Sequence, residues 1–117
     1  MDVRSVAQLV PTAAVVWLDR WHARVVRSRP GTPMITEVDR ASDPEAAYLF
    51  RIARAAADCD RVVILGPDAS RLAFEREYVA LYKRPDRLLE VGVAPALHDD
   101  ELLDRLRFIA SSPTPAR

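Results

Sequence analysis

The chain has one cysteine, one lysine and no surplus of either charge. Cys59 cannot close an internal disulfide, and no Cys-x-x-Cys pair or Cys/His cluster stands at metal-ligand spacing. It precedes a strand-like run and reads as a small buried residue rather than a nucleophile. Seventeen basic and seventeen acidic residues cancel, so no global field draws the chain onto nucleic acid or a membrane. No apolar run reaches membrane-spanning length, and the N-terminus lacks a signal peptide's charged-then-apolar layout. A cytoplasmic protein without membrane attachment is the expectation. His22 and His98 have no ligand partner nearby, and neither a metal nor a cofactor is expected.

What is present is an ordinary soluble composition, with 50% apolar and 29% charged residues. A chain of 117 residues makes one domain, able to bury roughly two-thirds of its unfolded surface. Arginine supplies all the positive charge except Lys83. Guanidinium groups suit phosphate recognition, although an Arg- and Ala-rich composition also follows from codon bias.

The pattern predicts strands at 13–18, 22–28, 34–38, 61–65 and 88–93. The first two are joined by Asp19-Arg20-Trp21, too short for a parallel crossover, so they form an antiparallel hairpin. A helix starts at Ser42-Asp43-Pro44-Glu45, read as a capping box, and runs to about Asp58. Its buried stripe is expected to hold Ala47, Phe50, Ala53, Arg54 and Ala57, with Arg51 in solvent. A second helix, 70–82, recurs with Phe74, Tyr78 and Leu81. A last one starts at Asp99 or Asp100 and carries Leu102, Leu103, Leu106, Ile109 and Ala110. Residues 1–12 read as an N-terminal extension, with Val3, Val6, Leu9 and Val10 at amphipathic spacing, 13–110 as the domain, and 111–117 as a disordered tail. The order β-β-β-α-β-α-β-α implies an α/β domain with a mixed sheet of about five strands and about three helices.

The run Val62-Val63-Ile64-Leu65-Gly66-Pro67-Asp68 marks a buried strand feeding a helix. Gly66 and Pro67 could offer free backbone N–H groups to a phosphate, with Arg71 one turn in. Asp68 opposes this, because its carboxylate caps the helix start and repels an anion. Arg20, Arg24, Arg27 and Arg29 crowd the hairpin around Trp21, a composition suited to RNA phosphates and base stacking. A charged, solvated hairpin edge is the stronger alternative, and alternation puts Arg24 and Arg27 on opposite faces. Lys83 to Arg87 is a smaller basic spot. Asp19, Glu37, Asp39 and Asp60 are the carboxylates that two-metal nuclease chemistry would need to gather.

This order, with Ala14-Val15-Val16-Trp17-Leu18-Asp19, Ala23-Arg24-Val25, the helix at 44–58, Ile64-Leu65-Gly66-Pro67, Arg71, Phe74 and His98-Asp99-Asp100-Glu101-Leu102, resembles the middle domain of the archaeal and eukaryotic class-one peptide release factor and Pelota, and small stand-alone bacterial relatives of that domain. The resemblance covers about residues 13–110. It implies a ribonuclease H-like fold and a role near the ribosome. Two departures stand out. Where release factors carry Gly-Gly-Gln, residues 37–43 hold neither glycine nor glutamine, which removes peptide release by that mechanism. Asp68 replaces the family's second glycine. The expectation is a non-catalytic accessory protein that binds RNA or the ribosome through Arg20, Trp21, Arg24 and Arg71. The alternatives are a homodimeric interaction module and a metal-dependent nuclease.

Overall fold

A computed structural model describes residues 12–28 and 32–111. Five strands, β1 (Ala13–Leu18), β2 (His22–Arg27), β3 (Met34–Asp39), β4 (Arg61–Gly66) and β5 (Leu88–Val93), form one sheet in the order β3-β2-β1-β4-β5. β2 runs antiparallel to β1 and β3, while β4 is parallel to β1 and to β5. Only β2 is therefore reversed. Three helices complete the order: α1 (Glu45–Ala55), α2 (Ser70–Tyr82) and α3 (Asp99–Ser111).

The central strands β1 and β4 are buried along their whole length, as expected of strands paired on both edges and covered on both faces. Alternation splits their side chains between two layers. Ala14, Val16, Leu18, Val62 and Ile64 pack with Tyr48 and Ile52 of α1 and Phe74 and Tyr78 of α2. Ala13, Val15, Trp17, Val63 and Leu65 pack with Leu102, Leu106 and Ile109 of α3. Arg61 is buried at the amino end of β4, and its guanidinium donates to the Ile109 carbonyl at 2.8 Å. A cation on the last carbonyls of α3 complements that helix end.

Several sequence expectations shift. α1 ends at Ala55, and its buried positions are Tyr48, Leu49, Ile52 and Ala53, while Ala47, Phe50 and Arg54 are exposed. Alanine-rich sequence blurs the stripe, and α1 packs through Tyr48 and Leu49 instead. Its N-cap residue is Pro44, and no side chain caps the helix, so the Ser42 capping box does not form. In α2 Phe74 and Tyr78 are buried, but Leu81 is 40% exposed. α3 does start at Asp99, where the Glu101 carboxylate accepts from the His98 N–H at 3.0 Å. Ser111 closes α3 instead of opening the tail expected over 111–117, and the amphipathic segment at 3–10, Arg29 and residues 112–117 lie outside the described residues.

Candidate functional site

β1, β3, β4 and β5 all end at the same side of the sheet, and this carboxyl edge is where open α/β sheets bind ligands. Two connections there are locked together. In the β1–β2 turn, the Asp19 carboxylate accepts from the Trp21 and His22 N–H groups, both at 2.8 Å. The Asp19 carbonyl accepts from the Tyr48 hydroxyl at 2.9 Å. Burial, reinforced by the Asp19 carboxylate, pushes the Tyr48 phenol far above its ordinary range, so it remains a donor. With Asp19 turned inward, Arg20 and Trp21 are left at the surface, and Trp21 is 61% exposed.

The β3–α1 loop packs beside this turn because β2 and β3 pair His22 with Asp39, placing Arg40 next to Trp21. The Arg40 N–H donates to the Trp21 carbonyl at 3.0 Å, and its guanidinium lies 5.4 Å from the centroid of the Trp21 ring. The same guanidinium donates to the Asp43 carbonyl at 3.0 Å and the Arg20 carbonyl at 3.4 Å. Arg51 clamps the loop from α1, donating to the Asp39 carbonyl and the Asp43 carboxylate at 2.8 Å each. Ala41 holds a left-handed φ of 52° between them. The result is an exposed indole on a fixed turn with the Arg40 guanidinium beside it, and Arg20, also exposed, precedes it in sequence. Arg40 and Arg51 were not singled out from the sequence, and the hairpin register is the signal that would have found Arg40.

The other anticipated residues are placed apart. Arg24 reaches to the opposite sheet face, donating to the Leu97 carbonyl and the Asp99 carboxylate at 3.1 Å each, with Glu37 at 3.5 Å. Arg27 turns to the α1 side and donates to the Ala55 carbonyl, so the two arginines do lie on opposite faces. At the β4–α2 junction the Asp68 carboxylate accepts from the Ser70 N–H at 2.8 Å, and Arg71 donates to the Asp68 carbonyl at 2.6 Å. The N-cap residue of α2 is Ala69, with no side-chain cap, so Asp68 braces the turn one residue earlier rather than capping the helix as expected. Gly66 is required by packing: a Cβ there would collide with the Leu18 carbonyl. Pro67 is exposed beside it.

The four carboxylates considered for metal chemistry have four different partners. Asp19 holds the turn, Glu37 pairs with Arg24, Asp39 accepts from His22 at 2.8 Å, and Asp60 accepts from Thr12. Among the described residues no three His, Cys, Asp or Glu side chains converge as a metal site. None of their helices is long and apolar enough to cross a membrane.

No model of a known protein family matches the chain, and no curated protein does. Solved structures do. The Pelota protein of Thermoplasma acidophilum is 24% identical, with a TM-score of 0.57 over 96% of this chain and 38% of that one. Archaeoglobus fulgidus Pelota is 12% identical, with a TM-score of 0.62 over 90% of this chain and 34% of that one. The archaeal translation termination factor aRF1 is 12% identical, with a TM-score of 0.57 over 80% and 32%. This chain spans less than two fifths of each of them. The chain thus has the fold of one part of Pelota and of aRF1, as the sequence resemblance implied.

Proposed function

We propose that this protein is a translation-associated accessory domain that binds RNA or the ribosome through the carboxyl edge of its sheet. The observation that carries this reading is Trp21, exposed at a turn whose backbone is fixed and flanked by Arg20 and Arg40. An indole of this kind is a stacking platform for an unpaired base, and the guanidinium groups supply phosphate contacts. The fold supports the ribosomal setting, since aRF1 is a translation termination factor. Arg24 and Arg71 are the remaining candidate contacts. Each presents only what its internal hydrogen bonds leave free.

Sedimentation of a lysate through a low-salt sucrose gradient tests the reading. The protein is expected to travel with ribosomal particles, and charge reversal of Arg20 should move it to the soluble pool without changing its melting temperature. Recovery of the wild type only in the soluble pool at low salt rejects the proposal.

A second reading, a self-associating module, draws on the outer edge of β5. No strand pairs there among the described residues, and Leu89 and Val93 are 44% and 71% exposed. Sedimentation velocity over a concentration series, with Val93→Lys as the control, separates the two readings.

A further inference from the structure

The two faces of the sheet are covered unequally. α1 and α2 lie on one face and α3 alone on the other, while five strands spaced about 4.8 Å apart are about twice as wide as one helix. A cavity of about 550 Å³ remains beside α3, an ordinary size for a ligand pocket. Its floor is Leu65 of β4 and Ala94 just after β5, and its wall is Leu97 with Glu101, Asp104, Arg105 and Phe108 of α3.

The cavity borders an open strand edge. β5 is the outermost strand on this side, and among the described residues no strand pairs with its other edge. The Ala94 N–H bonds inward to the Gly66 carbonyl at 3.0 Å, so alternation turns the backbone groups of Val91 and Val93 outward. Such an edge is a template for one more strand. Gly92 stands between these two residues on the α3 face. A Cβ added there would lie 3.4 Å from Leu65 Cδ2, on the cavity floor, and 2.8 Å from a Glu90 carboxylate oxygen. Its missing side chain leaves a passage from the strand edge into the cavity.

The charges here favour a cation. Glu90, Asp100, Glu101 and Asp104 on β5 and α3 stand against Arg105 and Arg107. The ion pairs Arg105–Glu90 at 3.2 Å and Arg107–Asp104 at 2.9 Å take up one carboxylate each, leaving Asp100 and Glu101 in excess. Leu65, Ala94 and Leu97 suit the methylene stem of a long basic side chain, and the ring of Phe108, 69% exposed, suits a cation over its face. The same carboxylates repel a phosphate backbone, so nucleic acid is not the occupant.

We propose that an extended basic segment of a partner protein adds to β5 as a further strand and passes an arginine or lysine side chain over Gly92 into this cavity. Main-chain pairing supplies affinity, and the cavity supplies selectivity. The site is separate from the RNA surface at Trp21 and stands or falls independently of it.

The test is titration of the full chain, at low salt, with a short peptide of alternating valine and arginine. Saturable binding is expected, with the amide resonances of Val91, Val93 and Phe108 moving along one isotherm. A valine–glutamate peptide should not bind. A peptide with proline in place of each valine keeps the charge and loses the strand hydrogen bonds, and should bind about tenfold more weakly. Gly92→Val closes the passage and should weaken the valine–arginine peptide about tenfold; the exposed Glu90 side chain can move aside, so the fold tolerates the change. Glu101→Gln combined with Asp104→Asn leaves the backbone untouched and should also weaken binding about tenfold. Equal affinity in the wild type and both variants, equal affinity for the two arginine peptides, or no saturable binding would overturn the proposal. Concentration-dependent shifts of the β5 resonances without peptide would assign the edge to a second copy of this chain and overturn it as well.

Discussion

The Tyr48 hydroxyl donates to the Asp19 carbonyl at 2.9 Å, joining the first helix to the tip of the first hairpin. This bond fixes the turn from beneath, while the Asp19 carboxylate fixes it from within. Removing the hydroxyl leaves the Asp19 carbonyl without a protein donor at a half-buried position. Tyr48→Phe should therefore cost about 1–2 kcal/mol of stability. Urea unfolding measures this, and an unchanged midpoint would mean that the turn holds without the bond.

The Trp21–Arg40 pair gives the proposed RNA surface a spectroscopic handle. Trp17 is 6% exposed and donates to the Pro95 carbonyl at 2.9 Å, whereas Trp21 is 61% exposed. Iodide should quench the Trp21 emission and spare Trp17. A short single-stranded RNA should quench the same emission, and Trp21→Phe should remove the signal and weaken binding by about 1–3 kcal/mol, the worth of one stacked base. Arg40→Gln should flatten the salt dependence of binding by roughly one phosphate contact. Equal affinity in the wild type and Trp21→Phe would place the contact elsewhere.

Gly66 separates a packing role from a ligand role at the β4–α2 junction. A Cβ there meets the Leu18 carbonyl, which belongs to a central strand and cannot retreat without disturbing the sheet. Gly66→Ala should destabilise by about 2–3 kcal/mol, within the upper range for core overpacking. Thermal unfolding checks it, and a loss well under 1 kcal/mol would show that the strand ends move apart easily.

Ala41 points the other way. Its φ of 52° is unfavourable for any residue with a Cβ and free for glycine. Ala41→Gly should stabilise by about 0.5–1 kcal/mol, with relief of the left-handed strain outweighing the entropy that glycine adds to the unfolded chain. A lower melting temperature would show that unfolded-state entropy outweighs the relief of strain.

Much of this was legible in the sequence, because its signals are local. The apolar runs at β1 and β4 are continuous since both strands are central, and the three-residue turn at Asp19 permits only a hairpin. The face of α1 was harder to read. Six of the residues from Glu45 to Asp58 are alanine, so the periodic contrast that marks a buried stripe is nearly absent. The site was half legible. Trp21 and Arg20 announce themselves by residue type, but Arg40 becomes their neighbour only through the His22–Asp39 register, a contact between strands. Arg24 showed the reverse: its charge was visible, and its ion pairs with Glu37 and Asp99 depend on tertiary packing.

Alkaline stability follows from the buried tyrosines. Burial raises the phenol pKa of Tyr48, Tyr78 and Tyr82 above 10.0, with Tyr48 shifted most. An unfolded chain releases these protons near pH 10, while the native protein still holds them. The unfolded state then binds fewer protons than the native one, so stability falls as pH rises. The contribution is fully present below the unfolded pKa and is lost on passing upward through the folded values. Urea midpoints should therefore be level, as far as these groups are concerned, up to about pH 9 and decline beyond it. Each tyrosine adds a slope of up to about 1.4 kcal/mol per pH unit. Tyr48→Phe removes one such proton and should make the decline shallower, even though it lowers stability at neutral pH. A parallel decline in the two proteins would mean that Tyr48 is ionised in the folded state as readily as in the unfolded chain.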